Sequence, residues 1–267
     1  MNIFLGLFMC LIPGLLWLWF FYRKDLYEKE PLGLIFKTFF LGAMMIFPVV
    51  LVELYIQGQL DLPHEVRGLE NLGAILVQSF IVAALVEEYG KYLVVKLTVY
   101  KSVEFNEVMD GIVYSVSAAL GFATLENFFY FFQTGYSNII LRSITAMLGH
   151  ICYSGIMGYY LGLSKFTTSK KRKKRYIRTG LLIAILLHGL YDFLIFSNSV
   201  LCFLIVPLLI VIYRHLNKKV RLSLLLSPFR PGRKVMPIMD EPPLPIAFTP
   251  DHPLLDDQSE TIDEDLS

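Results

Sequence analysis

Seven apolar runs fill most of the chain up to residue 213. They cover about 2–22, 34–56, 72–98, 110–132, 139–163, 179–197 and 199–213. A helix needs ~20 apolar residues to cross a bilayer, so the pattern predicts an all-α polytopic membrane protein with about seven transmembrane helices. Charged residues are only 18% of the chain and mean hydropathy is +0.56, which is too apolar for an ordinary soluble domain. The last run is the shortest. Only Ser197-Asn198-Ser199 separates it from the sixth, so those two runs are expected to form a hairpin.

The charges between the runs sort by sign. Arg23, Lys24 and Lys29 follow run 1, Lys101 follows run 3, and 170–175 (KKRKKR, flanked by Lys165 and Arg178) follows run 5. Arg214, Lys218, Lys219 and Arg221 follow run 7, while the alternate loops offer almost none: Arg67 in one, and Arg142 just inside run 5. Basic residues favour the cytoplasmic side, which predicts N-terminus outside and C-terminus cytoplasmic. Run 1 has no positive segment ahead of it, so it reads as an anchor rather than a cleaved export signal. KKRKKR lies between two spans, so it reads as a topogenic, lipid-headgroup element and not as a nucleic-acid patch.

Trp17, Trp19, Phe20, Phe21 and Tyr22 read as an interfacial aromatic belt. Lys37 and Glu53 lie near span ends and are expected to snorkel. Cys10, Cys152 and Cys202 sit in apolar runs without a CxxC or a disulfide framework, as small packing residues do. From 222 onward the character changes, with eight of the thirteen prolines and an acidic end. This divides the chain into a membrane domain, 1–221, and an expected disordered cytoplasmic tail, 222–267.

Chemistry must therefore reside inside the bundle, and ionisable residues do occur there. Run 3 carries Glu87, Glu88 and Lys91; run 4 carries Glu126 and Asn127; run 5 carries His150; run 6 carries His188 and Asp192. Each charge at a bilayer centre costs ~2.5–3.5 kcal/mol on insertion scales, so these groups must face one another or a wet cavity. Counted along each helix at ~1.5 Å per residue, they fall in a slab on the order of 10 Å thick.

Glu87 and Glu88 stand four and three residues before Lys91, so both carboxylates reach the ammonium. His188 and Asp192 are also i,i+4, so Asp192 can orient the imidazole. Two histidines with carboxylates make a zinc set; the same groups could activate water without metal. They would equally serve a transporter or channel. His64-Glu65 begins like HExxH, but residue 68 is Gly. GxSG, NPDG and GxGD are absent, against rhomboid, site-2 and presenilin-type proteases.

Glu87-Glu88-x-x-Lys91, Phe122-x-x-x-Glu126-Asn127, His150 and His188-x-x-x-Asp192, in that order, resemble the PrsW family of bacterial intramembrane proteases. The resemblance spans about 10–215, including the first loop YRKDLYEKEPLG. That family is similar to the CAAX prenyl proteases and bacteriocin self-immunity proteins, in which the second motif ends in His rather than Glu126. The resemblance implies a multi-pass protease of the cell inner membrane. Its expected reaction is first-site cleavage of a single-span, membrane-anchored anti-sigma-factor-like protein.

The family is described as zinc proteases, although the CAAX relatives have also been read as glutamate-dependent. On the metal reading, Glu88, His150 and His188 are expected to hold zinc. The expected catalytic set is Glu87, Glu88, Glu126, His150, His188 and Asp192, with Lys91 balancing the charge. The rivals are a transporter or channel, and a CAAX-type processing or immunity protease.

Overall fold

A computed structural model describes residues 3–63 and 66–232. His64 and Glu65, and the tail from 233, lie outside the described residues. The described residues contain no strand. Nine α-helices make seven passages long and apolar enough to cross a membrane.

The first passage is α1 (Ile3–Lys24). The second is α2 (Leu32–Met44) followed by α3 (Ile46–Gln59). Pro48 accounts for the break between them: its ring opposes the carbonyl four residues back, Met44, the last residue of α2. The third passage joins a 3-10 turn, α4 (Leu72–Val77), a π-helical segment (Gln78–Ala84) and α5 (Leu85–Thr98). The fourth, fifth and sixth are α6 (Val108–Thr134), α7 (Tyr136–Lys165) and α8 (Lys170–Phe196). A 3-10 stretch, Val200–Leu204, leads into α9 (Ile205–Leu226).

The helix α6 is the axis of the bundle. Its most apolar window is 89% buried, against 61% or less for every other passage. Small residues make that possible. A Cβ on Gly121 would lie 1.8 Å from the Phe39 carbonyl of α2, and one on Gly158 of α7 would lie 2.2 Å from the Gly111 carbonyl. Helices in lipid gain little from apolar contact as such, so close backbone approach supplies the packing. The outward faces carry exposed Phe4, Leu51, Leu141 and Val206, as lipid-facing surfaces do.

The odd-numbered loops share one face. Asn106, after α5, donates to Glu28, after α1, at 3.1 Å; Lys165, ending α7, donates to the Ser102 carbonyl at 2.9 Å. On the other face the Gly68 amide donates to the Phe196 carbonyl at 3.0 Å.

Several expectations change. KKRKKR is not a loop: it forms the first turns of α8, capped by the Ser169 hydroxyl accepting from the Arg172 amide. The last helix is not short. It runs through Leu226, past the composition boundary at 221, because Leu216, Val220 and Leu224 continue its buried face. The turn at 197–199 is present, but beyond it α9 packs chiefly on α7 rather than pairing with α8. Trp19 stays exposed under Arg23, whereas Phe21 of the aromatic belt is buried in the core.

Candidate functional site

Five segments converge at mid-bundle. The π-helical segment precedes the Glu87-Glu88 pair and packs on α8, where Gly189, next to His188, leaves room for the Phe80 ring. π-bulges concentrate at functional sites because the extra residue per turn re-aims the side chains that follow.

Lys91 is the hub, with no exposed surface. Its ammonium donates to Glu88 Oε1 at 2.8 Å and to Glu87 Oε2 at 3.0 Å. It also lies 2.9 Å from His150 Nδ1 and 4.4 Å from the Phe122 ring centre. An ammonium only donates, so His150 Nδ1 accepts and its Nε2–H donates to Glu126 Oε2 at 3.1 Å.

Glu88 is fully enclosed by its partners. Oε1 also receives His188 Nδ1 at 3.0 Å, and Oε2 receives the Ser154 hydroxyl at 2.9 Å. Its role is to hold Lys91 and His188 in place. His188 Nε2 is thereby turned toward Asp192 Oδ2, at 3.4 Å, and Glu87 Oε2, at 3.9 Å. The His150 and His188 rings lie 5.0 Å apart, and Tyr153 stacks on His188 with centroids 5.1 Å apart.

Glu126 has a second partner that spacing alone does not reveal. Arg142 Nη2 lies 3.0 Å from Glu126 Oε2, while its Nε donates to Asn127 Oδ1 at 2.9 Å. Arg142 was counted above only as a charge at the edge of run 5; nearly two turns into α7, it reaches back across the site. The Glu-Asn pair of the fourth run is thus a two-point dock for one guanidinium.

A cavity of about 320 Å³ opens beside these groups. Glu87, Glu126, His150, His188 and Asp192 line it; Glu88 and Lys91 do not. Arg67, Gln133 and Phe196 are also in its wall, so it reaches the even-numbered-loop face. Glu53 lines it as well, which corrects the expectation that this side chain snorkels. Its Oε1 is buried without a hydrogen-bond partner, as is the Tyr153 hydroxyl. Glu53, Arg142, Tyr153 and Ser154 had no motif to announce them.

The expected metal set changes by one residue. Donor atoms of Glu87, His150 and His188 lie within 4.8 Å of one another, and Glu88 is not in that group. Helix rotation decides this: Glu88 points into the packed interior and Glu87 into the cavity. A His₂Glu set fits a zinc-type ion, and His188, held by Glu88 at Nδ1, presents Nε2 in the way ligating histidines do.

The family model described as PrsW family intramembrane metalloprotease matches residues 30–214. Relatives called Protease PrsW match over most of both chains. The one from Geobacillus kaustophilus is 37% identical over 187 residues, covering 70% of this chain and 78% of its own. The one from Bacillus subtilis is 33% identical over 202 residues, covering 75% and 87%. The one from Halalkalibacterium halodurans is 34% identical over 213 residues, covering 79% and 93%. No solved structure matches the chain. The matched segment contains every motif residue of the buried site, and with seven spans around that site the chain belongs to the PrsW family of intramembrane proteases.

Proposed function

We propose that the chain cuts a peptide bond of a single-span membrane protein at this cavity, as a zinc-type metalloprotease of the bacterial inner membrane. The observation that carries the reading is one wall on which Glu87, Glu126, His150, His188 and Asp192 meet a space of about 320 Å³. An anti-sigma-factor-like protein is the proposed substrate, and loop charge puts the N-terminus and the cavity mouth outside. A cut near that face would suit first-site cleavage.

Glu87, His150 and His188 would hold the metal, His150 then releasing the Lys91 ammonium so that its Nδ1 lone pair is free. When bound there, zinc supplies a water acidified to near neutrality and a Lewis acid for the scissile carbonyl. The remaining work belongs to side chains. Glu88 holds His188 by Nδ1 and keeps Nε2 toward the cavity. Lys91 holds Glu87 and Glu88 with one ammonium. Arg142 and His150 both bond Glu126, which fixes that carboxylate at the cavity wall.

Asp192 lines the cavity with its Oδ2 at 3.4 Å from His188 Nε2, so it is placed to accept the proton of the attacking water. It then returns that proton to the leaving amine. The unpartnered Tyr153 hydroxyl donates to the carbonyl oxygen as it gains charge.

The test is co-expression with tagged single-span anti-sigma proteins, comparing wild type with Glu87→Gln and His188→Ala. A clipped product that appears with wild type and vanishes in both variants supports the reading, and metal analysis of the purified protein reports zinc. A protein that moves an ion or solute across liposomes and cleaves no membrane peptide would overturn it.

A further inference from the structure

A second buried constellation lies at the opposite end of α6, on the odd-loop face. The α1–α2 connection supplies Asp25, Glu28 and Glu30; the start of α6 supplies Glu107 and Asp110. Oxygens of Asp25, Glu107 and Asp110 lie within 4.8 Å of one another, and so do those of Glu28, Glu30 and Asp110. Asp110 is common to both groups, so five carboxylates form one continuous cluster. Asp25, Glu30, Glu107 and Asp110 are essentially without exposed surface.

Hydrogen bonds answer for only part of it. Asp110 Oδ2 accepts the amides of Asn106, at 2.6 Å, and Glu107, at 2.7 Å, capping α6. Glu28 Oε1 accepts from Asn106, and Glu30 Oε2 accepts from the Tyr114 hydroxyl. Neither oxygen of Asp25 meets an N–H or hydroxyl donor, though the residue is wholly buried; its neighbour is the Glu107 carboxyl. Glu28 Oε2, Glu30 Oε1 and Asp110 Oδ1 likewise meet no N–H or hydroxyl donor, and one oxygen from each of these three residues lies within 4.8 Å of the others.

Lysine does not fill the gap. The Lys29 ammonium bonds the backbone carbonyls of Tyr22 and Asp25, not the carboxylates. Lys165 bonds the Ser102 carbonyl. Two lysines therefore stand near five carboxylates without bonding them.

We propose that this cluster binds a hard divalent cation of the calcium or manganese class, clamping the α1–α2 connection to the N-terminus of α6. Oxygen-only donors select such ions over zinc. Flexible loop carboxylates suit the irregular six- to eight-oxygen shell that calcium accepts. Without the ion, burial and mutual repulsion drive these groups toward their protonated forms: Asp25 is pushed up to about 8, and Glu107 to about 7. The site is separate from the His-containing one and does not depend on the protease reading.

The test titrates Mn²⁺ into the chelator-stripped, full-length protein in detergent, reading free ion by electron paramagnetic resonance. Wild type is expected to bind saturably, with Ca²⁺ displacing the ion. Asp25→Asn should weaken binding at least tenfold, while His188→Ala leaves this binding in place. Glu28→Gln, at the half-buried rim, gives a smaller loss and stands in if Asp25→Asn elutes as aggregate. No saturable binding by wild type, binding unchanged in both carboxylate variants, or binding lost only with His188→Ala would each overturn the proposal.

Discussion

Two buried charge clusters sit along α6, and they are built on opposite plans. Toward the even-loop end, Glu87, Glu88 and Glu126 meet Lys91 and Arg142, and each of these three carboxylates has a cation within about 3 Å. At the odd-loop end, five carboxylates meet, and several of their oxygens have no donor. The first cluster balances the charge of Glu87, Glu88 and Glu126 with its own cations. The second needs something from outside, either protons or a cation. The difference follows from position: charges deep in the bundle are balanced by neighbouring side chains, whereas those at the loop face lie close to solvent ions.

The largest effect should come from the groups on the cavity wall. Glu87→Gln or His188→Ala should abolish detectable cleavage, because each removes a proposed metal ligand, with the folded protein still eluting as wild type. Retained cleavage in a clipping assay would move the chemistry elsewhere.

The hub tests whether the mid-bundle cluster is self-sufficient. Lys91→Met leaves Glu87 and Glu88 without their shared cation, and should cost about 3–5 kcal/mol of stability, read by thermal melting. The double variant Glu88→Gln, Lys91→Met should recover part of that, because the worst uncompensated charge is gone. A melting point unchanged in the single variant would mean the triad contributes little.

Tyr153→Phe removes one hydroxyl that no protein group bonds. Cleavage should fall by about 10²–10³-fold, through kcat rather than KM, if that hydroxyl stabilises the oxyanion. The melting temperature should not change, which separates this role from packing against His188.

The smallest and most gradual effect contrasts the other cluster. Burial raises the Asp25 carboxyl to about 8, against about 4 for an unfolded aspartate. In that window the folded chain holds a proton that the unfolded chain has released. Stability in chelator should therefore fall as pH rises from about 4 to 8. Asp25→Asn should flatten that slope, and a pH series of melting curves with the variant as steep as wild type would remove Asp25 as its source.

How much of the site was legible depended on the kind of residue. Glu87, Glu88, Lys91, Glu126, His150, His188 and Asp192 stood out because an ionisable group inside an apolar run is costly enough to need a reason. Glu53 and Arg142 did not, because charges near run ends ordinarily reach the interface. Tyr153 did not, because an aromatic residue in a membrane helix is normally packing. The acidic loop cluster was invisible as well: Asp25 and Asp110 are far apart in sequence and meet only when α1, α2 and α6 pack.

The sequence by itself determined the seven spans, the alternation of basic and neutral loops, and the depth at which charge is buried. Apolar run length and charge position are properties of the chain, and the bilayer reads them directly. Tertiary structure decided which face each charge occupies. It turned Glu87 to the cavity and Glu88 to the interior, drew Arg142 back onto Glu126 and Asn127, and closed Asp25 against Asp110. Adjacent residues on a helix point about 100° apart, so pairing within the third run could be read in advance. Which member of the pair meets the cavity depends on how α5 rotates against α6, α7 and α8.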